Sequence, residues 1–268
     1  MSRIALGLCS VTFRALAPEQ TLELAAQAQV EGIEWGADVH VPVGDLVAAQ
    51  RVAAATSHYG IAVASYGSYV EAGAVPVSAF SPVLETAVAL GAPNIRIWAG
   101  RRGVASVDVP PDERARCIAD LRTMAEQASQ AGVTLSLEFH RLTLTDSLAS
   151  TLDILRHVNH EALYTYWQPR PGIGALEAIE ELIAVRPWLS HLHVFNWNEQ
   201  RERFPLAPAE PFWHGVLETV SAAPDPRFDR RWAMIEFVRG DDPAVFPADA
   251  EALRRWLASL PHARAAVS

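Results

Sequence analysis

Apolar runs punctuate this chain at a nearly even spacing, and that rhythm limits its fold more than any other feature. They are Ile4–Cys9, Gly32–Trp35, Ile61–Tyr66, Asn94–Trp98, Val133–Glu138, Leu163–Trp167, Leu189–Phe195 and Trp232–Phe237. The interval is about 30 residues, the length of one strand–helix unit. Between the runs lie six helical patterns: "PEQTLELAAQAQ" with Pro18 near its start, "VLETAVALG" ending on Gly91, "PDERARCIADLRTMAEQASQAG" closing on Gly132, "DSLASTLDILRHV" with Asp146 or Ser147 as N-cap, "LEAIEELIAV" and "DAEALRRWLASL". Proline at a helix start and glycine just past its end are the expected punctuation. Short continuous apolar strands alternating with helices predict a parallel sheet. An open doubly wound sheet shares the alternation. Eight similar units with no linker or second domain favour the α/β class in its closed (β/α)8 TIM barrel form, one domain over residues 1–268. "AAPDPRFDRR" ahead of the last run reads as a loop.

The 268 residues, half of them hydrophobic, are enough for a large core. A formal net charge of −9 and the lack of any Lys/Arg run argue against nucleic acid as a partner. The balance suits a neutral or sugar-like small molecule. Cys9 and Cys117 form neither a metal-type spacing nor a disulfide framework. The N-terminus lacks signal-peptide flanks, and no stretch reaches the roughly 18 apolar residues of a membrane span. A soluble, cytoplasmic protein is expected.

In a barrel of this kind the active site lies at the C-terminal ends of the strands. The residues found there are Glu34 and Trp35, Tyr66, Arg96 and Trp98, Glu138 with His140, Trp167 with Gln168, His191 and His193 with Asn196, and Glu236. A carboxylate at the tip of an apolar strand is costly unless paired or metal-bound. Glu138, Gln168, His193 and Glu236, on four consecutive strands, would surround one point. Oxygen and imidazole together suit a divalent metal, Mn²⁺ first, with Mg²⁺, Co²⁺ or Zn²⁺ as alternatives. Trp35, Trp98, Trp167, Trp197 and Trp213 fall near the predicted strand ends and could stack on a sugar face, or could simply cap the core. Trp232, at the start of the last strand, and Trp256, in the last helix, read as core. "GRRGVASVD" at Gly100–Asp108 lacks phosphate-loop spacing and reads as a solvent-exposed loop.

The stretches "GIEWGAD" at Gly32–Asp38, "LSLEFHRLTLTDS" at Leu135–Ser147, "HLHVFNW" at His191–Trp197, "RFPL" at Arg203–Leu206 and "MIEFV" at Met234–Val238 resemble the xylose isomerase-like TIM-barrel superfamily, in particular its sugar phosphate isomerase/epimerase group. The resemblance covers nearly the whole chain. It implies that Glu138 and Glu236 bind a divalent metal and move protons, that His193 is a ligand, and that Arg203 contacts substrate oxygens. It also marks departures. Asn196 stands where the family has an Asp, Gln168 where it has a strand-6 Asp ligand, and Pro171 where it has a His. A neutral amide still coordinates a hard cation but changes the site's charge.

The resulting expectation is a metal-dependent sugar isomerase or epimerase acting through α-proton abstraction and an enediolate. Glu138 and Glu236 are the catalytic pair; Glu138, Gln168, His193 and Glu236 hold the metal. His140, Arg203, Trp35, Tyr66, Trp98, Trp167, Asn196 and Trp197 contact the substrate. The same enolate could serve a lyase that cleaves a 3-keto-glycoside or dehydrates an inosose. A catalytically silent carbohydrate-binding barrel or partner subunit is the reading from another class. The resemblance further implies a homo-oligomer.

Overall fold

A computed structural model describes residues 3–222, Arg227 and residues 230–261. Eight parallel strands close into a barrel in sequence order: β1 (Arg3–Cys9), β2 (Gly32–Gly36), β3 (Ala62–Ala72), β4 (Asn94–Ala99), β5 (Thr134–Glu138), β6 (Leu163–Trp167), β7 (Leu189–Val194) and β8 (Arg230–Ile235). The closure runs from Arg3 beside Arg230 to Leu8 beside Ile235. Eight helices follow the strands: α1 (Pro18–Gln27), α2 (Leu46–His58), α3 (Phe80–Leu90), α4 (Pro111–Gln130), α5 (Leu148–Val158), α6 (Ala175–Val185), α7 (Glu210–Ser221) and α8 (Phe246–Ser259). None is long and apolar enough to cross a membrane, among the described residues. Most of the Ala222–Arg231 segment read as a loop lies outside the described residues, and its end, Arg230 and Arg231, already belongs to β8.

Two of these helices go beyond the six patterns. In α2 the buried face is only Ala49, Val52 and Thr56, too weakly apolar to stand out. In α7 a proline at the start and Gly215 in the interior hide the periodicity. Asp45 caps α2 by accepting from the Ala48 amide at 2.9 Å. At α5 the N-cap is Ser147, but its hydroxyl makes no cap bond. Asp146 accepts instead from the Ser106 amide at 2.9 Å, tying two loops together. β3 also runs beyond the expected Ile61–Tyr66, with a register shift against β4 between Gly67 and Glu71. Such an irregularity re-aims the strand next to the site.

The aliphatic core fills the layer between the barrel's outer surface and the helices. The barrel interior is different. At its N-terminal end a small cluster joins Ala5, Ala64, Tyr166, Trp232 and Met234. Trp232 fits because β2 has Gly32 there: a Cβ would come within 2.5 Å of the indole. Above this plug the interior turns polar. The Tyr166 hydroxyl donates to Asn94 Oδ1 at 3.1 Å, and Asn94 Nδ2 donates to Ser136 Oγ at 2.9 Å. Every such group must find a partner inside the cylinder, and the network leads upward to the charged residues of the rim.

Candidate active site

Residues of one parity on each strand point inward. On β4 these are Asn94, Arg96 and Trp98; on β5, Ser136 and Glu138; on β7, His191 and His193. Gln168 and Glu236 continue the inward sets of β6 and β8 one position past the strand ends. Their side chains meet around one atom. His193 Nδ1 lies 3.1 Å from Gln168 Oε1, 3.5 Å from Glu236 Oε2 and 3.8 Å from Glu138 Oε1. Gln168 Nε2 donates to the Phe139 carbonyl at 2.6 Å and to Glu138 Oε1 at 3.1 Å. These two bonds aim the amide oxygen at His193.

Below this point sits a second acid–base layer. Arg96 is buried, its Nε 3.1 Å from Glu34 Oε1, and its Nη1 is bonded to Glu138 Oε2. Trp98 Nε1 donates to the same Glu138 oxygen at 2.7 Å. Glu34 Oε2 accepts from Ser65 Oγ at 2.7 Å. Room for the Arg96–Glu34 pair comes from Gly67, where a Cβ would lie 2.8 Å from Glu34 Oε1 and 2.9 Å from Arg96 Nη2.

Electrostatics divide the three carboxyls. Burial alone would raise each of them. For Glu34 the Arg96 guanidinium, His193 and the Ser65 hydroxyl overcome that, and it is held well below the usual carboxylate range. Glu138 is likewise lowered against its burial, by Arg96 and His193. Glu236 is raised: burial outweighs the lowering by His193, and the neighbouring Glu138 adds to it. His193 is pushed up to about 9 despite burial, because Glu236, Glu34 and Glu138 all face it. For His191, two residues below, burial outweighs the raising by Glu34, Arg231 adds to the lowering, and it falls to about 3.

The donor set fits a divalent cation. Glu138, His193 and Glu236 each offer an atom within 4.8 Å of the others, and Gln168 Oε1 joins them. Three oxygens face one imidazole nitrogen, which can offer them a single proton. Three glutamates against one arginine leave two formal negative charges with His193 neutral, the charge a divalent ion would cancel. A second cluster, Cys9, Glu34 and His193, shares the imidazole through its Nε2 face. There Arg96 already supplies a cation to Glu34, and burial first, then Glu34, raises the Cys9 thiol well above its ordinary value.

Glu138, Gln168 and Glu236 line the floor of a cleft of about 480 Å³, and His140, Trp197 and Arg203 line its walls. Trp98 stands behind the floor, tilted against the His140 ring at 5.3 Å. The structure parts from the expectation at four substrate-contact residues. Trp35 points out of the barrel and donates from Nε1 to Thr56 of α2 at 3.1 Å. Tyr66 also points out, donating to the Val41 carbonyl at 2.7 Å. Trp167 packs under α6 and α7, bonded to Glu181 at 3.1 Å and edge-on to Trp213. All three are fully buried. Each neighbours an inward residue in sequence, so strand alternation sends it to the opposite face. Asn196 braces the loop after β7 by donating to the Pro205 carbonyl at 2.8 Å. Trp213 belongs to α7, not to a strand end, while Trp232 and Trp256 are core as expected. Two residues read only as strand-end polar groups, Glu34 and Arg96, prove central. The signal for Arg96 was its parity with Trp98.

Among curated proteins, a 3-dehydroshikimate dehydratase of Bacillus anthracis is 33% identical over 109 residues, 38% of this chain and 36% of the dehydratase, so the chain spans about a third of that relative's length. Among solved structures, the probable 3-DHS dehydratase of petrobactin synthesis from Bacillus anthracis gives a TM-score of 0.71 at 20% identity, covering 93% of this chain and 98% of that one. An L-ribulose 3-epimerase gives 0.71 at 17% identity, covering 97% and 95%. At such identities the likeness is one of fold; the neighbours are enzymes of both the epimerase and the dehydratase kind. The family model described as xylose isomerase-like TIM barrel matches residues 22–258. That span takes in every strand but β1 and every residue around His193 Nδ1, and the chain belongs to the xylose isomerase-like TIM barrel family.

Proposed function

We propose that the protein is a metal-dependent enzyme that removes a proton α to the carbonyl of a polyhydroxylated substrate and returns it, as a sugar isomerase or epimerase does. The observation that carries this is the convergence of Glu138, Gln168 and Glu236 on His193 Nδ1 at the floor of an open cleft. These four residues would hold the cation, Mn²⁺ in our reading, which when bound supplies Lewis-acid polarisation of the carbonyl.

The residues divide the remaining work. Glu236 accepts no side-chain hydrogen bond from the described residues and has a raised pKa. Such a group is the better proton acceptor of the pair. Glu138 has one oxygen fixed by Trp98 and Arg96 and presents the other to the shared point. In isomerisation Glu236 hands the proton it took to the adjacent carbon; in epimerisation Glu138, after taking up a proton from water in the cleft, delivers it to the opposite face. His140 and Arg203 orient hydroxyls, Trp197 walls the site, and Trp98 backs its floor.

A second reading is favoured by the 109-residue match to a dehydratase. There the same α-proton leaves, and a hydroxyl on the β-carbon departs as water after taking up a proton. One experiment separates the readings. The Mn²⁺-loaded protein is incubated in deuterated water with D-fructose, L-ribulose and 3-dehydroshikimate. Metal-dependent deuterium in a recovered epimer or isomer supports the first reading, and loss of water without an epimer supports the second. No exchange, together with less than a tenth of an equivalent of metal per chain, would leave the silent binding barrel.

A further inference from the structure

The chain carries 22 cationic side chains against 31 acidic ones. Five of the 22, Arg102, Arg141, Arg170, Arg201 and Arg203, line the cleft that opens onto Glu138 and Glu236. An acidic protein has thus gathered a cationic rim at its candidate site. Two of the five are neutralised where they stand: Arg170 pairs with Glu177 and Glu181, and Arg203 pairs with Asp241. Arg102, Arg141 and Arg201 are exposed, and among the described residues none has an ion-pair partner. The rim's Asp146 is engaged by the Ser106 amide.

The three free arginines are held by structure rather than scattered. The Arg102 guanidinium sits 4.7 Å from the centre of the Trp98 ring, the same indole that bonds Glu138. The amide of Gly103 donates to the Leu142 carbonyl at 2.8 Å, which joins the Arg102 loop to the Arg141 loop. Arg201 stands at the tip of a tight turn, its amide donating to the Asn198 carbonyl at 2.9 Å. The turn is closed by the antiparallel bridge between Trp197 and Arg203. The "GRRGVASVD" loop is therefore part of the cleft, contrary to the sequence reading of it as mere solvent-exposed connection.

Guanidinium groups recognise planar or tetrahedral anions through paired N–H donors. A neutral sugar would leave three of them unused. We propose that the cleft takes an anionic polyhydroxy substrate, its carboxylate or phosphate held at the mouth by Arg102, Arg141 and Arg201 and its reacting carbonyl at the floor. Only the placement of the carbonyl rests on the proposed function; the anion site stands on the rim itself. It replaces the neutral substrate suggested by net charge, because the local field at the mouth is opposite in sign to the whole molecule's.

Binding of four probes to the Mn²⁺-loaded protein tests this without turnover, read by calorimetry. They form two pairs that differ in charge: 3,4-dihydroxybenzoate against 3,4-dihydroxybenzamide, and D-fructose 6-phosphate against D-fructose. The expected result is that one anionic probe binds roughly tenfold more tightly than its neutral partner. The pair with the larger gap tells carboxylate from phosphate. The R102Q/R141Q/R201Q variant should bring that gap to less than about twofold and leave the neutral probe unchanged, with each single substitution removing part of it. Raising the salt should shrink the gap in the wild type. Equal binding within both pairs, a gap that survives the triple substitution, or no binding by any probe would overturn the proposal. A gap that stands while deuterium exchange fails would sink the enolisation chemistry and keep the anion site; exchange on neutral sugars with no gap would do the reverse.

Discussion

The two faces of His193 differ more than their residue types suggest. Below the ring, Glu34 is met by Arg96, by Ser65 at 2.7 Å and by the Cys9 thiol at 3.9 Å. Above it, Glu236 accepts no side-chain hydrogen bond from any described residue. Both carboxylates are buried. One is saturated by donors that the chain itself supplies, the other is left for something from outside. A buried acid with its own cation is architecture. A buried acid that only shares an imidazole, at 3.5 Å, and faces an open cleft is a candidate for chemistry. Burial and residue type do not tell these apart; the inventory of donors does.

The contrast breaks most visibly at Glu236. Glu236→Gln keeps the shape and removes the proton acceptor, so metal-dependent α-proton exchange should fall by about 10²–10⁴-fold. The thermal midpoint should fall only modestly, because His193 keeps Glu34 and Glu138 beside it when the carboxylate of Glu236 is lost. Exchange at the wild-type rate would take Glu236 out of the mechanism. The lower face should respond in the opposite way. Arg96→Met leaves Glu34 and Glu138 buried without their cation, and unfolding by denaturant should register a loss of about 3–5 kcal/mol. Pairing it with Glu34→Gln should recover part of that. If Arg96→Met is as stable as the wild type, the lower layer is not structural.

Gln168 sharpens the comparison from the side, since it belongs to the upper face but carries no charge. With Asp in its place the site would hold one negative charge more than a divalent ion cancels. Gln168→Asp should tighten Mn²⁺ binding by about tenfold, because affinity of oxygen-rich sites follows the ligands' charge. Unchanged affinity in a metal titration would show that the amide is not a ligand and serves only to orient Glu138.

How far the sequence speaks for itself follows from the same geometry. The closed barrel is legible because each strand is a bounded apolar run and most helices carry one clear apolar face. Glu138, Gln168, His193 and Glu236 stand out because a polar group at the tip of such a run has few structural reasons to be there. The Arg96 bridge does not, since it joins β4 to β2 and β5, and nothing local in "NIRIWA" names its partners. The tryptophans misled for a different reason. Strands buried on both faces carry large apolar and aromatic residues on either side, so hydrophobicity does not mark which side a tryptophan takes. Parity does mark it: Gln168 inward requires Trp167 outward, and Arg96 inward brings Trp98 with it. The rim arginines were hidden in loops, where period carries no information.

The smallest effect tests that parity argument directly. Trp35 and Trp98 lie near the C-terminal ends of their strands, yet one faces α2 and the other the acid pair. Trp35→Phe deletes the bond to Thr56 inside a packed layer and should cost about 1 kcal/mol of stability. Mn²⁺ affinity and probe binding should not change, since no group at the cleft moves. Trp98→Phe removes a donor from Glu138 and shrinks the platform under Arg102, and should weaken anionic probe binding by a few-fold. If Trp35→Phe disturbed the metal while Trp98→Phe did not, the inward and outward sets would be misassigned, and the separation between a structural layer and a chemical one would fail at its root.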